Sequence, residues 1–138
     1  MSNRRKYAIT AVAVILGFWL LTKALNAISK SPGAQDYTTH CAKCHGKDGE
    51  GIGKLVPPLA VTNWLEENTH ELPCIIRYGL HEKIVVNGVE YNEQMLGLDY
   101  LTDVQVFNIT NYVSKRFTVA QKFYMQDEIE MLLEECAK

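Results

Sequence analysis

The chain has 138 residues, of which 47% are hydrophobic and 22% are charged, and these values describe one small folded domain with room for an appendage. The net charge of −2 hides an asymmetry, because residues 1–30 hold five of the fourteen basic residues and none of the sixteen acidic ones. Residues 31–138 therefore carry a net charge of −7. This excess argues against nucleic acid as a partner and favours a positively charged protein surface.

The amino-terminal segment predicts a membrane anchor at residues 1–30. The basic stretch RRK precedes an apolar run at 7–28 that contains a single charge, Lys23, and about 20 residues are enough to cross a bilayer core. The positive-inside rule keeps RRK in the cytoplasm, which predicts a single-pass protein of the bacterial inner membrane with a periplasmic body. A cleaved signal peptide is the alternative, although Leu25-Asn26-Ala27 places a large residue in the small position of a cleavage site.

The body predicts short helices, one hairpin and long loops. Glycines and prolines between Gly46 and Pro58 interrupt regular structure. The predicted helices are at 35–45, after Asn63, and from Leu72 with Pro73 in its first turn, followed by a helix at 101–117 capped by Thr102 and Gln105 and an amphipathic helix at 126–138. A hairpin is predicted to turn at Asn87-Gly88. So little regular structure buries a small core, which suggests a bound group at the centre. We expect a body at 31–116 and a helical extension at 117–138.

Two amphipathic faces follow from helical spacing. The faces predicted to be buried are Val104, Phe107, Ile109 and Val113 in the first of these helices and Ile129, Leu132, Leu133 and Cys136 in the last.

The segment HCAKCHGKDGEG at 40–51 admits three chemistries. A structural zinc ion needs a second ligand pair beside Cys41 and Cys44, but the other two cysteines stand far apart in the sequence. A redox dithiol needs a strand–helix–strand context that the sequence does not predict. The pattern C-x-x-C-H is typical of haem attachment, in which two thiols add to the porphyrin vinyl groups and the following His45 reaches the iron.

At these residues the sequence resembles the single-haem class I c-type cytochromes. The resemblance covers roughly 33–112 and rests on four ordered landmarks: GAQDYTTHCAKCHGKDGEG, PPLA, IRYGL with VNGVEYNEQM, and LTDVQVFNITNYV. It implies an all-α, cytochrome c-like domain wrapped around one covalent haem c, with a small hairpin segment. It also implies that Tyr37 and Tyr112 pack where the first and closing helices cross, with Gly33 allowing a close approach.

The resemblance also implies a ligand set. Cys41 and Cys44 would form the thioethers, His45 would bind the iron, and the Pro57 carbonyl would fix the tautomer of His45. Met95 would be the second axial ligand.

The other methionines, Met1, Met125 and Met131, lie away from the centre of the predicted domain. His70 and His81 are the rival candidates for the second ligand, and His40 lies too close to the attachment site, but all three are interpreted as surface histidines. The family usually has proline after the ligating methionine, where this chain has Leu96, so the resemblance also implies a weaker bond from Met95.

Further predictions concern the surroundings of the haem. Trp64, Arg77 and Tyr91 are interpreted either as partners of the haem propionates or as ordinary surface or core residues. Cys74 and Cys136 are expected to form a disulfide in an oxidising compartment, with two buried thiols as the alternative.

A haem with two protein ligands has no open position for a substrate, so the resemblance implies single-electron transfer rather than catalysis. We expect an electron carrier of a respiratory chain, between a quinol-oxidising complex and a terminal oxidase or reductase, with redox proteins and the membrane as partners and no small-molecule substrate. A fixed cytochrome subunit of a larger respiratory complex is the alternative. A gas-sensing or peroxidase-like protein is a third hypothesis, to which only Leu96 points.

Overall fold

The computed structural model describes residues 12–23 and 31–137, and the chain divides into two units, Met1–Ser31 and Pro32–Lys138. In the first unit residues 12–23 are helical, whereas the rest of the predicted anchor, residues 1–11 and 24–30, lies outside the described residues. Among the residues described, no helix combines the length and the apolar character that crossing a membrane requires.

The second unit is mostly helical, as the sequence predicts. Its helices are α1 (Pro32–His40), α2 (Ala42–His45), α3 (Asn63–Glu67), α4 (Leu72–Tyr78), α5 (Asp103–Phe117) and α6 (Gln126–Cys136), with a 3-10 turn at Thr69–Glu71 before α4. Two short antiparallel strand pairs complete it: β1 (Gly79–Leu80) pairs with β4 (Met95–Leu96), and β2 (Ile84–Val86) pairs with β3 (Val89–Tyr91).

Local signals place several of these elements. The Thr102 side chain accepts a hydrogen bond from the Gln105 amide, and the Gln105 side chain accepts one from the Thr102 amide, so the predicted capping box starts α5. The hairpin β2–β3 turns at Asn87 and Gly88, whose φ angles of 48° and 78° are those of a two-residue turn.

Helix boundaries differ from the prediction at two places. The helix expected at 35–45 begins earlier, at Pro32, because proline is well suited to the first helical position, and it is interrupted at Cys41. The helix α3 is capped by Thr62 rather than by Asn63, since the Thr62 hydroxyl accepts a hydrogen bond from the Leu65 amide.

The crossing of α1 and α5 is a close backbone contact at Gly33. A Cβ atom on Gly33 would lie 2.8 Å from the Cβ of Tyr112 and would also collide with the Asn108 carbonyl oxygen. Beside this contact the rings of Tyr37 and Tyr112 pack with centroids 5.2 Å apart, and those of Tyr37 and Phe117 with centroids 5.4 Å apart. The structure therefore packs these aromatic residues at the crossing, as the resemblance implies.

The prediction that Val104 lies on the buried face of α5 is wrong. Val104 is half exposed, whereas Ile109 and Val113 are buried. Val106, which was not among the predicted positions, is fully buried, because the core-facing side of α5 is rotated by part of a turn from the predicted one.

The carboxy-terminal helix α6 is attached to the body by buried side chains and by a disulfide. Ile129 and Leu133 are buried in the core. Cys74 on α4 and Cys136 on α6 form a disulfide with Cα atoms 5.7 Å apart and a sequence separation of 62. Closing a loop of this length stabilises the folded state by about 4 kcal/mol in the chain-entropy account.

The segment between α5 and α6 is held at Tyr124. The Tyr124 amide donates to the Asn111 side chain over 2.8 Å, and the Asn111 amide group donates to the Tyr124 carbonyl over 3.1 Å. The buried Tyr124 hydroxyl donates to the Thr69 hydroxyl over 2.9 Å. These contacts fix where α6 starts.

Replacing Gly33 with alanine is expected to destabilise the second unit by about 1–3 kcal/mol, because the added methyl forces α1 and α5 apart. Denaturant unfolding measures this difference. Gln35→Ala, at an exposed position of the same helix, serves as the control and should change stability by less than about 0.5 kcal/mol. Equal stability of the two variants would contradict the close crossing.

Candidate cofactor site

The two cysteines of the C-x-x-C-H motif lie at the junction of α1 and α2. Cys41 stands between the helices and Cys44 lies within α2, and both thiols are free. The amides of Cys44 and His45 donate to the Cys41 carbonyl over 3.1 Å and 2.9 Å, so one helical turn carries all three side chains. Burial, with a smaller contribution from the Asp36 charge, raises the pKa of the Cys41 thiol to about 12.

His45 is oriented by a single backbone contact. Its Nδ1 lies 3.2 Å from the carbonyl oxygen of Pro57, on the loop that follows the glycine-rich segment. Burial lowers the pKa of His45, and the bond to Pro57 offsets part of this effect. A neutral imidazole that donates from Nδ1 leaves the lone pair of Nε2 for a metal, which is the arrangement that a haem-ligating histidine needs.

Two adjoining cavities lie beside this histidine, with volumes of about 70 Å³ and 360 Å³. The residues that line both are Cys41, His45, Pro57, Leu80, Ile84 and Met95. The larger cavity also includes Cys44, so the whole C-x-x-C-H pattern faces one space. Most lining side chains are apolar, which is typical of a cofactor site that has few polar contacts.

Met95 reaches these cavities because of the β1–β4 pairing, which the sequence pattern did not predict. Leu80 is the partner of Met95 and Gly79 is the partner of Leu96. Gly79 has a φ of 88° and lies against the Met95 carbonyl, so a side chain at Gly79 would be strained and would collide. Leu96 is 76% exposed and lies at the rim of the larger cavity.

The three predicted propionate partners occupy different places. Trp64 lines the smaller cavity, and the buried Tyr91 lines the larger one while its hydroxyl donates to the Gly53 carbonyl over 3.3 Å. Arg77 lines neither of these two cavities, and its interpretation as a propionate partner stays a prediction.

The Arg77 guanidinium is engaged by the segment that leads into α5. It donates to the Leu101 carbonyl over 2.7 Å and to the Asp99 carbonyl over 3.2 Å, and it forms an ion pair with Asp103. Through these contacts Arg77 holds the start of α5.

Of the three histidines interpreted as surface residues, His70 and His81 are exposed and line neither cavity. His40 is partly exposed and lines the larger cavity, where its Nδ1 lies 3.3 Å from the hydroxyl of Tyr100. Its proximity to the cavity follows from its place directly before Cys41.

Most of the apolar wall was not predicted from the sequence. Residues from α3, α4 and the hairpin complete the lining, and those not singled out beforehand include Leu65, Ile75, Ile76, Ile84, Val86 and Leu98. The alternation of Ile84 and Val86 in β2 was a usable signal, because residues two apart on a strand face the same side. Glu82 and Glu93 add two carboxylates to the lining of the larger cavity.

These residues fit a covalent haem c. The fit rests on two free thiols beside an oriented neutral histidine, and on a thioether and an apolar wall facing the same space. The described residues hold no group of three or more histidine, cysteine or carboxylate side chains that could bind a metal ion on its own. When bound, haem c supplies an iron centre that changes its charge by one electron.

The chain's own residues would hold that group. Cys41 and Cys44 would form the thioethers, His45 and Met95 would bind the iron, and Pro57 would keep the His45 imidazole in one tautomer. The apolar wall would limit the access of water to these ligands.

The fold and the site thus define a small helical protein built to hold one covalent haem c. The cytochrome c family model matches residues 31–116, and the chain belongs to the cytochrome c family. It is 33% identical over 100 residues to a cytochrome c-552 of Thermus thermophilus, a match that covers 70% of this chain and 67% of the relative. A second cytochrome c-552 from Thermus thermophilus is 33% identical over 97 residues, covering 67% of this chain and 73% of the relative.

A shorter match is to a subunit of a larger enzyme. Over 49 residues the chain is 41% identical to the cytochrome c subunit of a quinone alcohol dehydrogenase from Gluconacetobacter polyoxogenes, which covers 35% of this chain and 10% of the relative. As a member of the cytochrome c family, this chain binds haem c covalently and acts as an electron carrier.

The cysteines are expected to react in an order set by their burial. In the folded haem-free protein, mass spectrometry after alkylation should find two reactive thiols, with Cys44 modified at least about tenfold faster than Cys41, because the raised pKa leaves little thiolate at Cys41. Cys74 and Cys136 should appear as one disulfide-linked peptide.

Circular dichroism verifies that the protein is folded during labelling, and labelling in urea, where the burial difference disappears, provides the control. Four reactive thiols under non-reducing conditions, or equal rates for Cys41 and Cys44 in the folded protein, would contradict the structure.

Proposed function

We propose that this protein carries single electrons in a bacterial respiratory chain, between a quinol-oxidising complex and a terminal oxidase or reductase. The observation that carries the proposal is that Met95 lines the same two cavities as His45. With His45 and Met95 both bound to the iron, no position would be open for a substrate, and a one-electron change would need little rearrangement.

The larger cavity supports electron exchange at one side of the domain. Leu55 and Leu96 line this cavity and are themselves exposed, so an apolar rim surrounds the place where the cofactor edge would meet a partner. Apolar contact of this kind brings two redox centres close while charges further out orient the encounter.

Whether Met95 binds the iron distinguishes an electron carrier from a gas-binding protein. The haem-loaded chain is expected to show a low-spin optical spectrum with a sulfur-to-iron band, and Met95→Ala should lose that band and bind carbon monoxide rapidly when reduced. Met125→Ala, an exposed methionine outside both cavities, is the matched control and should behave like the unmodified protein.

Rapid carbon monoxide binding by the unmodified reduced protein at neutral pH would reject the carrier and favour the gas-sensing or peroxidase-like alternative. That outcome would mean that the Met95 bond is labile, the effect expected of leucine at 96 in place of proline.

We further propose that the protein is tethered to the inner membrane through its amino-terminal segment, with the amino terminus cytoplasmic and the haem domain periplasmic. Support comes from the stretch RRK and from the helix at 12–23, whose large apolar side chains, such as Phe18 at 69% exposure, are exposed. Tethering would raise the effective concentration of the carrier beside its partners.

A fixed subunit of a larger complex is the second candidate function. It draws support from the 49-residue match to a relative named as a cytochrome c subunit of a quinone alcohol dehydrogenase. The mobile carrier and the fixed subunit would have the same haem site, and they differ in whether the protein is bound to the other subunits of a complex.

Cell fractionation separates these possibilities. The full chain should sediment with the membrane fraction, and a variant in which residues 1–30 are replaced by a cleavable signal peptide should appear in the soluble periplasm, because the apolar segment is gone. After mild detergent extraction a mobile carrier migrates alone, whereas a fixed subunit co-purifies in fixed ratio with a complex. A full chain found in the soluble periplasm would reject the tether.

A further inference from the structure

The segment from β1 to β4, residues 79–96, carries Met95 and forms one wall of the cofactor site. Its residues that line the cavities include Leu80, Ile84, Val86, Tyr91 and Met95. Within residues 31–137, the hydrophobic core cluster contains no residue of this segment. Packing in that core therefore does not hold the hairpin β2–β3 in place.

Polar contacts instead hold the turn of the hairpin against the start of α3. The Asn63 amide donates to the side-chain oxygen of Asn87 over 3.0 Å, and the Asn87 amide donates to the side-chain oxygen of Asn63 over 2.7 Å. The side-chain amide of Asn87 also donates to the Val61 carbonyl over 3.4 Å. Two asparagines 24 residues apart in the chain thus exchange main-chain hydrogen bonds, and we call this pair the asparagine clamp.

Both positions of the clamp suit asparagine. The Asn63 amide belongs to the first turn of α3, where a helix leaves its N–H groups without a partner from the helix itself. Asn87 has a φ of 48°, in the left-handed region that asparagine adopts more readily than most other residues. Besides the clamp, the described residues show one further hydrogen bond from β2 or β3 to another part of the chain, from the Tyr91 hydroxyl to the Gly53 carbonyl.

The helix on the other side of the clamp is anchored firmly. Leu65 of α3 is buried in the hydrophobic core. The Glu66 carboxylate accepts hydrogen bonds from the amides of Val119 and Ala120, over 2.5 Å and 3.4 Å, in the segment that follows α5. The clamp therefore joins a hairpin outside the core to a helix that the core holds.

We propose that Asn63 and Asn87 are positioning residues for the second iron ligand. Their reciprocal hydrogen bonds hold the hairpin against α3, so that Met95 stays at the cavities that His45 also lines. The chain has leucine rather than proline after Met95, and the clamp restrains the methionine segment from its far end instead. The inference rests on the proposed electron-carrier function and deepens it, because that function needs Met95 bound to the iron.

Two variants open the clamp and two others serve as controls. Asn63→Ala and Asn87→Gly each remove one side-chain acceptor, and glycine is used at 87 because alanine would be strained at its positive φ. Asn63→Asp keeps an acceptor oxygen. Asn92→Ala removes an exposed asparagine of the same segment that makes no hydrogen bond within the described part of the chain.

Hydrogen exchange followed by mass spectrometry, on the haem-loaded full chain in nonionic detergent, measures opening of the hairpin. In Asn63→Ala and Asn87→Gly the amides of 84–91 should exchange about three- to tenfold faster, because one hydrogen bond of the closed hairpin is lost. Asn63→Asp and Asn92→Ala should change this rate by less than about twofold.

Gly33→Ala separates a role in positioning from a general effect on stability. It weakens the crossing of α1 and α5, which stays formed when the hairpin alone opens, so it should change exchange at 84–91 by less than about twofold. A hairpin that opens only when the whole unit unfolds would instead exchange faster in Gly33→Ala as well.

Carbon monoxide binding by the reduced protein measures how often Met95 leaves the iron. Its slow rate should rise by about three- to tenfold in Asn63→Ala and in Asn87→Gly, and by less than about twofold in Gly33→Ala and Asn92→Ala. The double variant of Asn63 and Asn87 should show less than the product of the two single effects, because the two bonds of the clamp form together.

Unchanged exchange or unchanged carbon monoxide binding in both clamp variants would overturn the proposal. Equal acceleration of exchange by Gly33→Ala, or by Asn92→Ala, would overturn it too. The optical spectrum of the unmodified protein tells the two proposals apart. Absence of the sulfur-to-iron band there would reject the electron-carrier function and with it the role of the clamp at Met95, whereas an intact band with unchanged variants would reject the clamp alone.

Discussion

The hydrogen bond between His45 and the Pro57 carbonyl is the contact on which the site depends. It joins the end of α2 to a loop twelve residues further along and sets the tautomer of a buried imidazole. The apolar cavities beside it require walls from α1, α3, α4, α5 and both strand pairs. The short helices α1 to α4 leave these cavities between them, and the covalent haem c of this family would supply apolar surface there.

A second set of contacts makes that wall rigid from outside. The close approach at Gly33 fixes α1 on α5, and the disulfide from Cys74 to Cys136 fixes α6 on α4. Arg77 ties the end of α4 to the start of α5. Rigid surroundings suit electron transfer, because the rate benefits when little structure reorganises as the charge changes. The carboxy-terminal segment thus supports the same scaffold that positions the ligands.

Charge and cofactor access lie on different parts of the surface. The cavity rim combines exposed leucines with the carboxylates of Glu82 and Glu93, whereas the densest charge belongs to α6. The helix α6 is held by its buried face and by the disulfide at Cys136, and three of its five carboxylates accept hydrogen bonds within the helix or at its start.

The sequence by itself determined the features that depend on neighbouring residues. The C-x-x-C-H chemistry, the capping box at Thr102 and the turn at Asn87-Gly88 each involve residues within a few positions of one another, so backbone geometry and bonding chemistry are enough to predict them. Tertiary structure decided the rest. The pairing of β1 with β4 places Met95 at the cavities. The Arg77 guanidinium instead donates to the Leu101 carbonyl, in the segment before α5. The exposure of Val104 was likewise set by how α5 turns against its neighbours. These outcomes depend on contacts between residues far apart in the chain, and a local sequence pattern does not predict which of those contacts form.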